Sequence, residues 1–307
     1  MTAPASEHPR ESLPLDSTAQ LLTRITDQLG TQLSLVSLNG TRRPMHRTRQ
    51  YARPASVAGG TPAPTLVAVA HGSRDPRALR TVLELLERVR ELRPGLDVRL
   101  GHIELNQPLL PATLAAVGEG DAVLVPLLLS RGHHVKHDLP AAAAAAPGLR
   151  SRIAAPLGPH PLLVEALHGR LLETGWDPGD GTGRSAGVVL AAAGSRDPDA
   201  ATDTRRTARM LSDRLGGIPV VPAYASAAAP TVPAAVRALA ARGRHQVAIA
   251  SYFTAPGRFA TAAADAAPGA AAAPLGAHPA MARLLLHRYD HALGYGSPVN
   301  ERLLASA

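Results

Sequence analysis

Cysteine is absent from the 307 residues, which excludes disulfide bonds, cysteine-ligated zinc, thiolate-bound iron–sulfur clusters and a cysteine nucleophile. Any metal chemistry therefore has to use the 13 histidines and the 24 aspartates and glutamates. Apolar runs are too short to span a bilayer, and the N-terminal sequence MTAPASEHPRESLPL lacks the apolar segment of a signal peptide. We therefore expect a cytoplasmic protein without a membrane partner.

Lysine and aromatic residues are also scarce. Lys136 is the only lysine, so arginine supplies the rest of the 32 basic residues and most of the net charge of +8. Arginine binds carboxylates and phosphates through two parallel hydrogen bonds. Aromatic residues make up only 3%, which leaves few side chains to stack on nucleic-acid bases, and no zinc-finger or basic-helix pattern occurs. The charge therefore favours a small acidic partner over nucleic acid.

Residues 1–62 differ in composition from the rest of the chain. The stretch TRRPMHRTRQYARPASVAGGTPAP (41–64) is rich in arginine, proline, glycine and alanine and has little to bury. Such a segment is typical of disorder, so we expect residues 1–62 to be a disordered tail. The tail is either dispensable or a basic arm that binds a partner.

From residue 65 onward, short apolar runs alternate with helical patterns. This alternation is typical of an α/β fold with a mainly parallel sheet. The first such set predicts strands at 65–70, 96–105 and 121–130 and helices at 78–92 and 109–117.

The pattern then repeats, which indicates a tandem duplication of one α/β unit. VAVAHGSRDPRA (67–78) is followed 122 residues later by VLAAAGSRDPDA (189–200), and APLGPHP (155–161) returns as APLGAHP (273–279). The length allows about two domains. We predict an N-terminal domain at 63–176, a Gly-rich linker at 177–186, a second domain at 187–295 and a C-terminal tail at 296–307.

The GSRDP motif is present in both copies, directly after a strand and before a helix. Aspartate followed by proline is a typical helix start, so Asp75 and Asp197 are predicted as N-caps. A helix start also presents N–H groups to anions, so Ser73 and Arg74 are candidates for binding a substrate carboxylate. His160 and His278, which precede prolines in the second repeated motif, are predicted to satisfy local backbone groups.

Three positions break the symmetry between the copies, and all lie at or just past the carboxyl ends of predicted strands. That edge is where open α/β sheets bind ligands. Two imidazoles and a carboxylate at this edge suit Fe²⁺, Co²⁺, Ni²⁺ or Zn²⁺. The differences are His71 against Ala193, Glu104 against Ser226, and His134 against Phe259.

The neighbours of His134 are harder to interpret. His133 and His134 are adjacent on a predicted loop, so we do not expect both to face one ligand. Lys136, His137 and Asp138 form either a solvated face or a rim that binds substrate carboxylates.

These motifs together resemble the sirohydrochlorin chelatases, small relatives of the ATP-independent class II chelatases. The resemblance rests on the strand followed by HGSRDP, the GHIEL segment and the G-x-H-V-x-x-D-L-P run from Gly132 to Pro140. It covers about residues 64–175 strongly and 187–293 as a degenerate second copy that lacks both histidines.

The resemblance implies two flavodoxin-like three-layer α/β/α domains with the active site in the cleft between them. It implies insertion of Fe²⁺ or Co²⁺ into sirohydrochlorin, a polycarboxylate tetrapyrrole, for sirohaem or cobalamin biosynthesis. His71, His134 and Glu104 would be the catalytic and metal-contacting residues, no organic cofactor would be needed, and two fused domains would suffice as a monomer. The residues expected to bind substrate are Ser73, Arg74, Ser130, Arg131 and Arg258.

Two other interpretations use the same residues differently. A non-enzymatic carrier of metal or tetrapyrrole could use the same His/Glu site without inserting metal. A flavodoxin-like phosphate or nucleotide binder would need a phosphate-binding loop, and the glycines of the predicted linker have neither the spacing nor the preceding strand for one.

Overall fold

The structure, a computed structural model, describes residues 63–178 and 183–294. The predicted tails at 1–62 and 296–307 and the middle of the predicted linker lie outside the described residues. Within the two described ranges, no helix combines the length and the apolar character that crossing a membrane requires.

Strands and helices alternate through both copies. The first half contains β1 (Thr65–Ala70), α1 (Pro76–Leu92), β2 (Val98–His102), α2 (Leu110–Val117), β3 (Gly120–Pro126), a π-helix (His134–Asp138), α3 (Leu139–Ala144), β4 (Leu149–Ile153) and α4 (Pro161–Leu172). The second half contains β5 (Ala186–Ala192), α5 (Pro198–Arg214), β6 (Val220–Tyr224), α6 (Val232–Ala240), β7 (Gln246–Tyr252), α7 (Arg258–Asp265) and α8 (Pro279–Leu293).

Each half forms its own parallel sheet. The strand order is β2-β1-β3-β4 in the first sheet and β6-β5-β7 in the second, with all described pairs parallel. The predicted strands 96–105 and 121–130 are too long, because the chain leaves the sheet after His102 and Pro126. After β2 the backbone turns sharply, with Leu105 at φ 68°. The residues past these strand ends are thereby free to form a site.

Each sheet is covered by helices on both faces, which gives the three-layer α/β/α arrangement. Successive side chains of a strand point to opposite faces, and β1 buries both sets. Val67 and Val69 pack against α2 and α3, whereas Leu66, Ala68 and Ala70 belong to a large core shared by both halves. The central strand β5 divides its side chains in the same way.

The last helix of each half packs against the sheet of the other half. Helix α4 contacts β7 and α5, and helix α8 contacts β3, β4 and α1. Polar contacts support this arrangement: Arg288 of α8 donates to the carbonyl of Leu157, and Arg170 of α4 donates to the carbonyl of Leu275. The two halves therefore share one core instead of meeting at a simple surface.

The predicted helix caps are confirmed. The side chain of Asp75 accepts a hydrogen bond from the N–H of Arg77, and Asp197 does the same for Asp199. His160 and His278 cap α4 and α8, because Nδ1 of each accepts from the backbone N–H two residues further on. These caps satisfy helix N–H groups that otherwise have no partner.

The buried cap His160 makes the free energy of unfolding depend on pH. Burial, and the positive charge of nearby Arg288, lower the pKa of His160 from 6.5 to about 3. The unfolded chain therefore takes up a proton below pH 6.5 that the folded chain refuses, so stability is full above that pH and falls as the pH drops towards 3.

We expect His160→Asn to reduce this acid sensitivity, because asparagine is a good N-cap that does not titrate. Urea unfolding at pH 6 and pH 5 should show that the wild type loses about 1 kcal/mol more than the variant over this interval. Equal losses in both proteins would contradict the assigned pKa shift.

Candidate functional site

The carboxyl-terminal edges of the two sheets line one cleft. The cleft has a volume of about 1160 Å³ and is bounded by residues that follow strands β1, β2 and β3 on one side and β5, β6 and β7 on the other. The three asymmetric residues of the first half, His71, Glu104 and His134, all line it. The sequence predicts that these residues share one edge of the sheet, and in the structure they line one cavity.

His71 and Glu104 form a side-chain pair. Nε2 of His71 lies 3.4 Å from Oε1 of Glu104, and both side chains are about half exposed, at 43% and 54%. The backbone holds them together, because the N–H of Glu104 donates to the carbonyl of His71 at 3.0 Å. Nδ1 of His71 lies 3.3 Å from the carbonyl oxygen of Gly72, so Nε2 is the nitrogen that faces Glu104.

Gly72 makes this close backbone contact possible. Its φ is +103°, and a Cβ atom at this position would lie 1.8 Å from the carbonyl oxygen of Glu104. Only glycine tolerates both the positive φ and the contact. The small residue between His71 and Ser73 therefore sets the distance between the two strand ends that carry the site.

His134 lies against His71 from a third chain segment. The two imidazole rings are T-shaped, with centroids 4.7 Å apart. His134 begins the π-helix that ends at Asp138, so the predicted loop is wrong at this point. Its helical turn brings Asp138 back to His134, with Nδ1 to Oδ2 at 2.5 Å. A carboxylate at Nδ1 fixes the ring and leaves Nε2 with its lone pair.

The site consists of neighbouring contacts. His71 faces Glu104 with Nε2, and its ring is T-shaped to the ring of His134. Across 63–178 and 183–294, no three or more His, Asp or Glu side chains are grouped so that they could hold a metal ion together.

The second half retains the backbone of this site without its chemistry. The N–H of Ser226 donates to the carbonyl of Ala193 at 2.9 Å, as Glu104 does to His71. Gly194 has φ +93°, and a Cβ there would lie 1.8 Å from the carbonyl oxygen of Ser226. Phe259 occupies the position equivalent to His134 and lines the cleft. The opposite wall of the cleft therefore has the same backbone frame, with alanine, serine and phenylalanine in place of the two histidines and the glutamate.

Four of the five predicted substrate-binding residues line the cleft: Ser73, Arg74, Ser130 and Arg258. Arg74 and Arg258 are exposed, and the guanidinium of Arg258 lies 4.8 Å from the ring centroid of Phe259. Ser73 also serves the helix start, because its Oγ accepts from the N–H of Asp75.

Arg131, the fifth predicted substrate-binding residue, forms an ion pair within the protein. Its guanidinium binds the carboxylate of Asp203 on α5, with Nη2 to Oδ1 at 2.7 Å and Nε to Oδ2 at 3.0 Å. Nε and Nη2 of Arg131 are thus occupied by a buried carboxylate, and Arg131 is not one of the residues that line the cleft. Arg131 instead joins the two halves.

Two residues near the site were missed at the level of sequence. Asp138 was assigned to a solvated face or a rim, although its spacing of four residues from His134 is the signal for contact on a helical turn. Asn106 was not considered, and its Oδ1 accepts from the N–H of Ser73 at 2.6 Å. Asn106 thereby joins the turn after β2 to the motif after β1.

Comparison with known protein families identifies the family to which this chain belongs. A family model named CbiX matches residues 65–174 and matches again at 187–292, which together exceed half of the chain. The chain belongs to the CbiX family. The second match confirms the predicted duplication. The half that carries Ala193, Ser226 and Phe259 is thus itself a CbiX unit.

Named relatives of this CbiX-family chain handle sirohydrochlorin. A sirohydrochlorin ferrochelatase of Bacillus subtilis (strain 168) is 28% identical over 169 residues, which are 53% of this chain and 63% of that protein. A sirohydrochlorin cobaltochelatase of Priestia megaterium is 28% identical over 203 residues, 64% of this chain and 65% of that protein. The chain thus matches somewhat less than two thirds of the length of either curated relative.

A solved structure supports the fold of this CbiX-family chain. SirB from Bacillus subtilis with Fe³⁺ aligns with a TM-score of 0.61 at 24% identity, over 74% of this chain and 94% of that one. The predicted fold of two chelatase-like α/β units with parallel sheets is therefore confirmed.

Proposed function

We propose that this protein is an ATP-independent sirohydrochlorin chelatase that inserts Fe²⁺ or Co²⁺ into sirohydrochlorin for sirohaem or cobalamin biosynthesis. One observation carries the proposal: His71, Glu104 and His134 meet in the cleft, and their equivalents in the second half are Ala193, Ser226 and Phe259. We therefore assign the metal-insertion chemistry to the wall of the cleft that the first half forms. The names of the relatives supply the substrate class.

The residues match the two requirements of metal insertion, which are delivery of the ion and removal of two protons from pyrrole nitrogens. A neutral imidazole can act as a metal ligand or as a proton acceptor. The 3.4 Å between Nε2 of His71 and Oε1 of Glu104 fits contact with one ion, since two ligand atoms about 2.1 Å from a tetrahedral ion are about 3.4 Å apart. His134, with Nδ1 directed at Asp138, offers Nε2 as the acceptor.

The rest of the cleft suits a flat polycarboxylate. Arg74 and Arg258 are exposed at its two sides and can pair with carboxylates of the macrocycle. Phe259 presents an aromatic ring from the opposite wall. The second half would then bind and orient sirohydrochlorin while the first half carries out the insertion, and a single chain supplies both walls.

An anaerobic insertion assay tests the proposal. Purified protein is mixed with sirohydrochlorin and Fe²⁺ or Co²⁺, and the visible absorption of the macrocycle is followed with and without ATP. We expect insertion faster than the uncatalysed reaction and insensitive to ATP. Binding of metal or sirohydrochlorin without any acceleration would overturn the proposal and favour a carrier that uses the same residues.

Gly72→Ala should damage the site through the backbone. The new Cβ would lie within bonding distance of the carbonyl oxygen of Glu104, so the strand ends carrying His71 and Glu104 must separate. We expect turnover to fall about 10-fold or more, since small displacements of reacting groups cost large factors in rate.

Gly194→Ala is the matched control for that variant, because its Cβ would meet the carbonyl of Ser226 at the same distance in the half without the histidines. Both variants should lose similar thermal stability, and Gly72→Ala should lose more turnover than Gly194→Ala. Equal losses of turnover would show that the contact matters only for folding.

A further inference from the structure

The segment that carries His134 is bonded to the second half of the chain. Arg131, three residues before His134, binds Asp203 of α5 through its guanidinium, and its backbone N–H also donates to Oδ2 of Asp203 at 2.9 Å. Asp203 is almost fully buried, with 3% of its side chain exposed. A buried carboxylate that accepts three donor groups of one residue fixes both the backbone and the side chain at that point.

Lys136, two residues after His134, makes a second connection to the same helix. Its Nζ lies 2.7 Å from Oδ2 of Asp197 and 2.9 Å from Oδ2 of Asp199, both at the start of α5. Residues on both sides of His134 in the sequence are therefore bonded to α5. We use the term latch for Arg131 and Lys136 together with Asp197, Asp199 and Asp203.

The latch is one-sided. The repeat relates Asp199 and Asp203 of α5 to Arg77 and Thr81 of α1, so α1 lacks their carboxylates. In the second half, the positions of Arg131 and Lys136 are taken by Pro256 and Thr261, which carry no charge. Among the residues that the structure describes, these ion pairs hold the segment that carries His134, and no equivalent pairs are formed at the pseudo-symmetric segment that carries Phe259.

We propose that the second half positions His134 for the reaction through the latch, so that Asp203, Asp197 and Asp199 act as positioning residues. The inference rests on the proposed chelatase function and adds a second task for the half without the histidines. The rings of His134 and His71 are T-shaped with centroids 4.7 Å apart, so a movement of the His134 segment by about 1 Å would alter the position of its imidazole relative to that of His71.

The main test compares two inter-half Arg–Asp pairs. Asp203→Asn removes the carboxylate charge that binds Arg131. Asp290→Asn breaks the bidentate pair between α8 and Arg93, away from the cleft. We expect Asp203→Asn to lower kcat about 10-fold with little change in KM. Asp290→Asn should change the melting temperature only slightly and leave kcat within about two-fold of the wild type.

Lys136 provides a test that does not depend on a buried group, because its side chain is 36% exposed. We expect Lys136→Gln to lower kcat about 3-fold with an unchanged melting temperature, since exposed ion pairs contribute little to stability. Lys136→Arg preserves the positive charge facing Asp197 and Asp199 and should restore most of the wild-type kcat.

The outcomes separate the inference from the proposed function. An inactive wild-type protein would overturn the chelatase proposal and the latch with it. An active wild type with Asp203→Asn and Lys136→Gln both at full kcat would overturn the latch alone. Equal loss of kcat in Asp203→Asn and Asp290→Asn would also overturn it, because the effect would then be general destabilisation.

Discussion

Replacing either His71 or His134 by alanine should lower the rate of metal insertion by about 100-fold or more. Each substitution removes an imidazole that we assign to metal contact or proton removal, and general acid–base groups typically contribute factors of about 100 to 10,000. Both side chains are partly exposed in the cleft, so the loss should fall on kcat with little effect on folding. The measurement is the initial rate of the visible spectral change under anaerobic conditions.

His245→Ala is the control for these two variants. His245 is exposed and directly precedes β7, so it lies at the amino end of the second sheet, on the edge opposite the cleft. It should insert metal at the wild-type rate. If the His71 and His134 variants did the same, the assignment of the site would be wrong even if the protein were a chelatase.

Most of this site could be predicted because its chemistry follows strand ends. His71 and Glu104 are at the ends of two adjacent parallel strands, and parallel strands deliver their carboxyl ends to one edge whatever their side chains. The internal duplication then separated the positions that differ between the copies, which are the candidates for chemistry, from the positions that both copies share. The ion pair of Arg131 could not be predicted, because its partner Asp203 is 72 residues away in sequence and belongs to the other half.

The fold was predictable to a similar degree and failed for a similar reason. The alternating pattern located β1 to the residue, since a buried parallel strand is a continuous apolar run. The π-helix at His134–Asp138 was not foreseen, because its five residues show no apolar periodicity. Each of α4 and α8 packs on the sheet of the other half. The local sequence gives no sign of this exchange, because either sheet presents a similar apolar face.

Separating the two halves should abolish folding of each as a monomer. The fragment 63–178 would lack α8, which covers β3 and β4, and the fragment 183–294 would lack α4, which covers β7. Helix α8 alone buries Met281, Leu284 and Leu285 completely. At about 1.5 to 3 kcal/mol for each large apolar side chain, this loss is comparable to the whole stability of a typical domain.

Mixing the two fragments tests this directly. We expect neither fragment alone to unfold cooperatively, and a one-to-one mixture to recover cooperative unfolding and insertion activity. Circular dichroism melts and size-exclusion chromatography at several concentrations would show it. A fragment 63–178 that melts as a monomer within a few degrees of the intact chain would contradict the shared core.

The glycine contact after β1 and β5 has a consequence for protein engineering. Gly194 meets the carbonyl of Ser226 as closely as Gly72 meets that of Glu104, so the two copies share this backbone contact although the side chains around it differ. Ala193, Ser226 and Phe259 therefore differ in chemistry from His71, Glu104 and His134, while the backbone contact at the glycine is the same in both halves. The second half is therefore a place where protein engineers could introduce two histidines and a glutamate while keeping the present backbone.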